Sequence, residues 1–240
     1  MSDKFLDGAY IAHRGLHNDE FPENTMGAFI NAIEHGFAFE FDVRITKDNV
    51  LGILHDPDLE RLCGAKRDFS EIYSNEFDNY KILGTNYSIP SLKSVLDENA
   101  GKVPMLIEVK CVFEYKRVAK IFYETIKNYT GEYAVQSNNP LFLRYLHKLM
   151  PQVTLVYLCS KTWEGDKSFP KFMRELIYSL VLYNYSKATY ISCQYDEVNK
   201  KVLKKSKGNL LLWTIRNSEQ AISTKNVCKG LIFENFVPNK

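Results

Sequence analysis

The stretch Phe37-Ala38-Phe39-Glu40-Phe41-Asp42-Val43 alternates large apolar residues with small or acidic ones. A period of two is the pattern of a β-strand, whose successive side chains point to opposite faces. Phe37, Phe39, Phe41 and Val43 then share the face that packs outward against helices, and Glu40 and Asp42 share the inward face. Carboxylates on an inward face are costly unless a cation or a hydrogen-bond network neutralises them. The segment therefore predicts a strand that is buried on both sides and carries chemistry at one end.

Outward from this strand, apolar β-branched segments alternate with helical patterns along the whole chain. Strands are predicted at 9–13, 37–43, 103–110, 133–136, 153–158, 189–193, 210–215 and 230–233. Helical patterns fall at 26–35, 92–99, 115–129, 141–149, 169–183, 197–207 and 219–225. Alternation of this kind marks a parallel α/β sheet. Eight strands in 240 residues favour a closed (β/α)8 TIM barrel over an open sheet. No GxGxxG or GxxxxGK[ST] loop follows the first strand, which speaks against a nucleotide-binding open sheet. Residues 56–89 are too long for an ordinary loop and are expected to form a small insertion after the second strand, over the barrel mouth. Only seven residues follow the last strand, which leaves no room for an eighth helix. The chain reads as a single domain, 1–240, with the insertion inside it.

Composition narrows the functional classes. A net charge of +2 does not suggest a nucleic acid or a membrane surface as partner. The basic run 200–207 reads as a solvated helix face. No apolar stretch approaches the ~20 residues of a membrane span, and the most apolar helical piece, 176–183, reads as core. Residues 1–8 carry two Asp and one Lys and no long apolar run, so they do not read as a secretory signal. The five cysteines lack CxxC spacing, and reduced thiols in a cytoplasmic protein fit best. Cys159 and Cys193, at strand ends, read as small buried hydrophobes.

In Leu106-Ile107-Glu108-Val109-Lys110 the same alternation puts Glu108 and Lys110 on one face. Glu40, Asp42 and Glu108 at neighbouring strand ends would make an oxygen-rich site for a hard divalent cation, Mg²⁺ or Ca²⁺. The pattern alone equally permits a structural ion network with Lys110 and Arg14. His13 ends the first strand and His55 ends the segment 50–55, so both fall where barrel active sites lie. Two imidazoles there form a candidate acid/base pair. Arg14 carries a planar fork suited to a phosphate oxyanion, and Lys110 offers a second charge. His17, His35 and His147 read as ordinary polar surface residues.

Taken together, several segments resemble the glycerophosphodiester phosphodiesterase family. They are His13-Arg14-Gly15; Pro22-Glu23-Asn24-Thr25 with Ala28-Phe29 and Ala32; Glu40-Phe41-Asp42-Val43 with Thr46-Lys47-Asp48; His55-Asp56 with Leu59 and Arg61; Ile89-Pro90-Ser91-Leu92; and Glu108-Val109-Lys110. Gln136-Ser137, Trp213-Thr214 and Gly230-Leu231-Ile232 are weaker matches. The resemblance implies a (β/α)8 barrel with an insertion after the second strand. It implies a metal held by Glu40, Asp42 and Glu108, His13 and His55 as general acid and base, and Arg14 and Lys110 on phosphate. Glu23, Asn24, Gln136 and Trp213 fall among its substrate-site positions. The departures lie in the second half: Asn138 replaces an aromatic, Arg216 interrupts a Trp-Thr-Val-Asn pattern, and Phe233-Glu234-Asn235 stands where a Thr-Asp pair is usual.

The implied reaction is metal-dependent hydrolysis of a small-molecule glycerophosphodiester to an alcohol and glycerol 3-phosphate. The alternatives are a lysophospholipase D or phospholipase C-like lipid phosphodiesterase, and a catalytically dead binding domain. Aromatics of the insertion (Phe69, Tyr73, Phe77, Tyr80, Tyr87) could line an apolar mouth for a lipid or form the insertion's own core. With Tyr157 and Trp213 they are also candidates for a cage around a choline ammonium.

Overall fold

In the computed structural model, which describes residues 3–160 and 171–239, eight parallel strands close into a barrel. They are β1 (Ala9–Ala12), β2 (Ala38–Ile45), β4 (Met105–Val109), β5 (Tyr133–Ser137), β6 (Thr154–Cys159), β7 (Tyr190–Gln194), β8 (Leu210–Ile215) and β9 (Gly230–Phe233). Sequential neighbours pair around the ring, and pairing of β1 with both β9 and β2 closes it. A short antiparallel strand, β3 (Leu51–Ile53), pairs with the far end of β2 outside the ring. The predicted strands match these to within a residue or two at each end, as expected where chain ends of a strand fray into loops.

The alternation read from the sequence sorts side chains into an inner and an outer core. Inside, Ile11, Ala38, Leu106, Ala134, Val156, Tyr190, Leu211 and Ile232, one from each barrel strand, pack into a cluster, and Leu6 joins it. Outside, Phe37, Phe39, Phe41 and Val43 join the larger cluster between sheet and helices. Phe29 of α1 (Met26–Glu34) lies 5.0 Å from Phe39 and 5.4 Å from Phe41, ring centre to ring centre. Truncating one of these rings to alanine should cost about 3–5 kcal/mol.

The other helices are α2 (Glu60–Cys63), α3 (Leu92–Asn99), α4 (Tyr115–Ile126), α5 (Pro140–Leu149), α6 (Lys171–Tyr178), α7 (Tyr183–Ser186), α8 (Lys200–Ser206) and α9 (Ser218–Thr224). Side-chain caps begin several of them: Thr25 accepts from the Ala28 amide, Ser91 from Ser94, and Asn139 from Leu141 and Phe142 ahead of Pro140. The predicted helix over 169–183 corresponds to α6 and α7, separated by Leu180 at a left-handed φ of 56°. Phe169 and Pro170 lie outside the described residues. The stretch 176–183 is only partly core: Ile177, Leu180 and Tyr183 are buried, but Val181 is 64% exposed. The lysines of α8 face solvent apart from half-buried Lys205, while Val202 and Ser206 are buried, as expected of a solvated face.

Residues 56–89 contain α2 and three 3-10 turns. With Leu54 they form a separate small core of Leu59, Leu62, Phe69, Ile72, Phe77, Ile82 and Ile89. Phe69 and Phe77 pack over Gly52 of β3, where a Cβ would come within 2.6 Å of the Phe77 ring. No helix among the described residues is long and apolar enough to cross a membrane.

Candidate active site

A cavity of about 340 Å³ opens at the C-terminal ends of the barrel strands. The chain reaches it from β1 through His13, whose amide bonds the Phe233 carbonyl at 2.9 Å. Arg14 (φ 55°) and Gly15 (φ 82°) then turn the backbone sharply. The turn points the Arg14 amide at Glu40 Oε2, 3.1 Å away. It also sets the Leu16 amide on the Ala28 carbonyl at 2.9 Å, where α1 begins. Gly15 is required twice over: its φ is positive, and a Cβ there would lie 2.7 Å from Ala28 Cβ.

Glu40, Asp42 and Glu108 come together as the alternation requires, with carboxylate oxygens within 4.8 Å of one another and all three residues buried. Their strands fix this: Asp42 pairs in register with Glu108, and Glu108 with Gln136. Asn24, in the left-handed region at φ 58°, donates from Nδ2 to Asp42 Oδ2 at 2.9 Å and accepts from the Asp42 amide. Lys110 Nζ lies 3.0 Å from Asp42 and 2.6 Å from Glu108, and Arg14 Nε is 3.6 Å from Asp42. Both expectations for these acids therefore meet in one place: an oxygen cluster, and an ion network around it.

The electrostatics divide the acids. Burial pushes Glu40 well above the usual carboxylate range, and the charges of Asp42 and Glu108 add to it. Burial also raises Glu108, against the opposing pull of Lys110. For Asp42, burial is outweighed by Lys110, His55 and Arg14, which hold it well below the usual range. Gln136 donates from Nε2 towards Glu40 and Glu108 at 3.4 and 3.3 Å, and its buried Oε1 has no hydrogen-bond partner. An all-oxygen donor set with an unpaired amide oxygen beside it fits a hard divalent cation.

Two histidines face this cluster. His55 follows β3, with its carbonyl held by the Arg44 guanidinium at 2.7 and 3.0 Å. Its Nδ1 sits 2.7 Å from Asp56 Oδ1, and Arg61 grips Asp56 and Glu23 together. Glu23 in turn accepts from Arg14 at 2.8 Å. Burial and the nearby Lys110 lower His55 to about 4, leaving a neutral ring. His13 has Nδ1 2.6 Å from Glu234 Oε2 and Nε2 4.0 Å from Glu40. Burial, then Arg14, lowers its pKa, while Glu234 opposes both.

All the site residues predicted from the sequence, except Asn24, line this cavity; Asn24 supports it from behind Asp42. Of the further lining residues, the three with ionisable side chains, His17, Arg216 and Glu234, were not predicted as site residues. His17 reads as an ordinary surface residue, yet its Nε2 lies 3.8 Å from Glu234. No periodicity in the loop marks it. Glu234 and Arg216 stand out in the sequence only as departures from the family pattern. His35 is exposed and His147 half-buried, at the ends of α1 and α5 and away from the cavity.

The choline cage is not assembled. Tyr157 is fully buried, its hydroxyl donates to the Ile177 carbonyl, and none of the insertion's aromatics lines the cavity. The reason is the strand period: Tyr157 falls on the outward face of β6, beside Tyr183 of α7. Cys159 and Cys193 are buried in the outer core, in line with their reading as small hydrophobes.

The sequence profile described as "Glycerophosphoryl diester phosphodiesterase family" matches residues 13–236. The chain belongs to this family. Among family relatives, a glycerophosphodiester phosphodiesterase of Bacillus altitudinis is 31% identical over 62% of this chain and 65% of its own length. One from Caldanaerobacter subterraneus is 32% identical over 62% and 66%. The matches thus span less than two thirds of those two relatives. The fold recurs in a putative glycerophosphoryl diester phosphodiesterase of Silicibacter pomeroyi, with a TM-score of 0.78 at 20% identity, over 96% of this chain and 92% of that one. An Oleispira antarctica phosphodiesterase, solved with the product sn-glycerol-3-phosphate, gives 0.76 at 18% identity, over 95% and 93%.

Proposed function

We propose that this chain hydrolyses glycerophosphodiesters to an alcohol and glycerol 3-phosphate, using a divalent cation, Mg²⁺ or Ca²⁺, at Glu40, Asp42 and Glu108. The observation that carries this reading is the placing of two histidines beside a three-carboxylate cluster, each ring with Nδ1 taken by a carboxylate. Such a bond fixes the tautomer and leaves Nε2 of each ring for substrate.

Arg14 and Lys110 bind and orient the phosphoryl oxygens and stabilise the charge that builds on them. One histidine, neutral with its Nε2 lone pair free, takes the proton of the attacking hydroxyl or water; the other enters the step as the imidazolium and gives its Nε2 proton to the leaving alcohol. With a glycerol substrate the neighbouring hydroxyl can attack, giving a cyclic phosphate that water then opens. Glu23 and Asn24 hold Arg14 and Asp42 in place, and Gln136 and Trp213 face the substrate. The bound cation supplies Lewis acidity at the phosphoryl group.

A polar substrate fits better than a lipid. Apolar lining is confined to Leu158, Trp213 and Ile232 among the described residues, and the insertion's aromatics pack elsewhere. The reading treats residues 1–240 as one barrel domain with residues 56–89 inserted in it. It places the protein in the cytoplasm, which suits five cysteines that are all free thiols.

The test is release of glycerol 3-phosphate from glycerophosphocholine by metal-stripped protein, with and without added Mg²⁺ or Ca²⁺. Metal-dependent release that disappears in Glu40→Ala is expected. No release from any glycerophosphodiester with either metal would overturn the reading.

A further inference from the structure

Both histidines are held by the same device. His55 Nδ1 meets Asp56, whose other oxygen takes Arg61 Nε at 2.5 Å. His13 Nδ1 meets Glu234 Oε2 at 2.6 Å, and Glu234 Oε1 takes Arg216 Nε at 2.8 Å. In each case a carboxylate bridges an imidazole to a guanidinium. The first arm lies within one short segment, 55–61. The second joins residues 221 positions apart in sequence, and no motif matched in the sequence contains Glu234 or Arg216.

We infer that Glu234, braced by Arg216, is a positioning residue that fixes the tautomer and ring orientation of His13. The inference rests on the reading of His13 as one of the acid/base pair. Three observations support it. Glu234 is half-buried, and burial alone would raise its pKa, but the hydrogen bond from His13, the nearby His17 ring and the charge of Arg216 hold it far below the usual carboxylate range, so it stays an anion. An anion at 2.6 Å from Nδ1 requires that nitrogen to carry the proton, leaving the Nε2 lone pair towards Glu40 and the cavity. The backbone sets the bond: the Glu234 amide donates to the Ile215 carbonyl and the His13 amide to the Phe233 carbonyl, at 3.0 and 2.9 Å. The ends of β1, β8 and β9 are thereby locked, and the two side chains meet across the barrel seam.

Arg216 lies at the rim, 54% exposed, with one face open to solvent. Its amide is tied to Gln220 Oε1 at 2.8 Å, which anchors the loop that leads into α9. The guanidinium thus holds the outer oxygen of Glu234 from a fixed base and keeps the inner oxygen aimed at His13.

The experiment combines kinetics with NMR on full-length Glu234→Gln, Glu234→Ala and Arg216→Ala. A glutamine keeps the size of the side chain but removes its charge, and its amide can either accept from Nδ1–H or donate to a bare Nδ1, so it no longer selects one tautomer. The kcat of Glu234→Gln should fall about 10- to 100-fold with KM nearly unchanged, the order of effect seen when the carboxylate that supports a functional imidazole is removed. Arg216→Ala should fall less. Long-range ¹H–¹⁵N spectra should show His13 protonated on Nδ1 in the wild type and a mixture of tautomers in Glu234→Gln. The spectra do not depend on turnover. A wild type that is inactive but shows the Nδ1–H tautomer, lost in Glu234→Gln, would sink the hydrolase reading alone. Unchanged kcat and an unchanged His13 tautomer in both Glu234 variants would overturn the positioning role.

Discussion

Lys110 Nζ stands 2.6 Å from a carboxylate oxygen of Glu108, two residues back on the same strand face and equally buried. It also lies 3.0 Å from Asp42, so one ammonium balances two of the three clustered acids. Replacing Lys110 by Met should therefore destabilise the metal-free protein by about 3 kcal/mol, the usual cost of stripping one partner from a buried ion pair. Added Mg²⁺ or Ca²⁺ should recover part of the loss. Urea melts in chelator and in metal check both; identical midpoints for variant and wild type in chelator would remove Lys110 from the charge balance.

His13→Ala and His55→Ala should each lower kcat at least ~10²-fold, the usual worth of a positioned acid or base. Asp56→Ala should fall by about 10- to 100-fold, because it supports His55 directly and Glu23 through Arg61 without itself being an acid or base. Turnover close to wild type in either histidine variant would end the acid/base assignment.

Much of this site was legible because strand alternation transmits sequence directly into space. Phe39 and Phe41 point out, Glu40 and Asp42 point in, and Glu108 follows from the next strand by the same rule. His13 was legible because strand ends in a barrel converge on one mouth, and His55 reaches the same mouth from β3, which pairs with the C-terminal end of β2 outside the ring. Glu234, Arg216 and His17 were not, because their meeting depends on the closure of β9 onto β1 and on loop conformations that no periodicity encodes. Tyr157 shows the converse failure: a chemically suggestive residue whose strand face sends it away from the cavity. The split between α6 and α7 was hidden for a similar reason, since it turns on one left-handed residue, Leu180, that the apolar pattern does not mark.

Gly15→Ala should destabilise the protein by about 2–4 kcal/mol, combining a left-handed backbone with overpacking. The space is closed by Ala28 backbone atoms at 2.9 Å, which cannot swing aside as a side chain could. Gly64→Ala is the control: φ is 68° there, but a Cβ would meet nothing within 4 Å, so about 1 kcal/mol is expected. Equal losses at the two positions would show that the Ala28 contact contributes nothing.

Acid should attack the network around Glu23. Burial would raise this carboxyl, but Arg61 and Arg14 lower it from 4.5 to about 2. A carboxylate depressed on folding binds fewer protons in the native state than in the unfolded one. Its contribution is then fully present above pH 4.5 and is lost as pH falls from there through about 2. Glu23→Gln should flatten the stability curve over that window, measured by urea unfolding at several pH values. A variant curve parallel to the wild type would show that the Arg14–Glu23–Arg61 bridge adds no pH-dependent stability.

Glu40 sets stability against function. Its carboxyl is buried beside Asp42 and Glu108, and burial together with those two charges makes its ionised form costly. In the absence of a cation, Glu40→Gln removes the cost of either ionising or protonating this buried carboxyl while keeping the shape and a group able to hydrogen-bond. The metal-free variant should therefore be more stable than the wild type by about 1 kcal/mol, a rise of roughly 2–4 °C in Tm for a domain of this size. With Mg²⁺ or Ca²⁺ the order should reverse, because binding to the native state alone stabilises the wild type by mass action and the variant has lost a charged oxygen ligand. Glycerol 3-phosphate release should vanish with it. Thermal melts of both proteins in chelator and in each metal give the four values needed. A crossing of the two orders identifies Glu40 as a cation ligand, whereas a variant less stable under every condition would identify it as a structural anchor for the Arg14 amide, 3.1 Å from its Oε2.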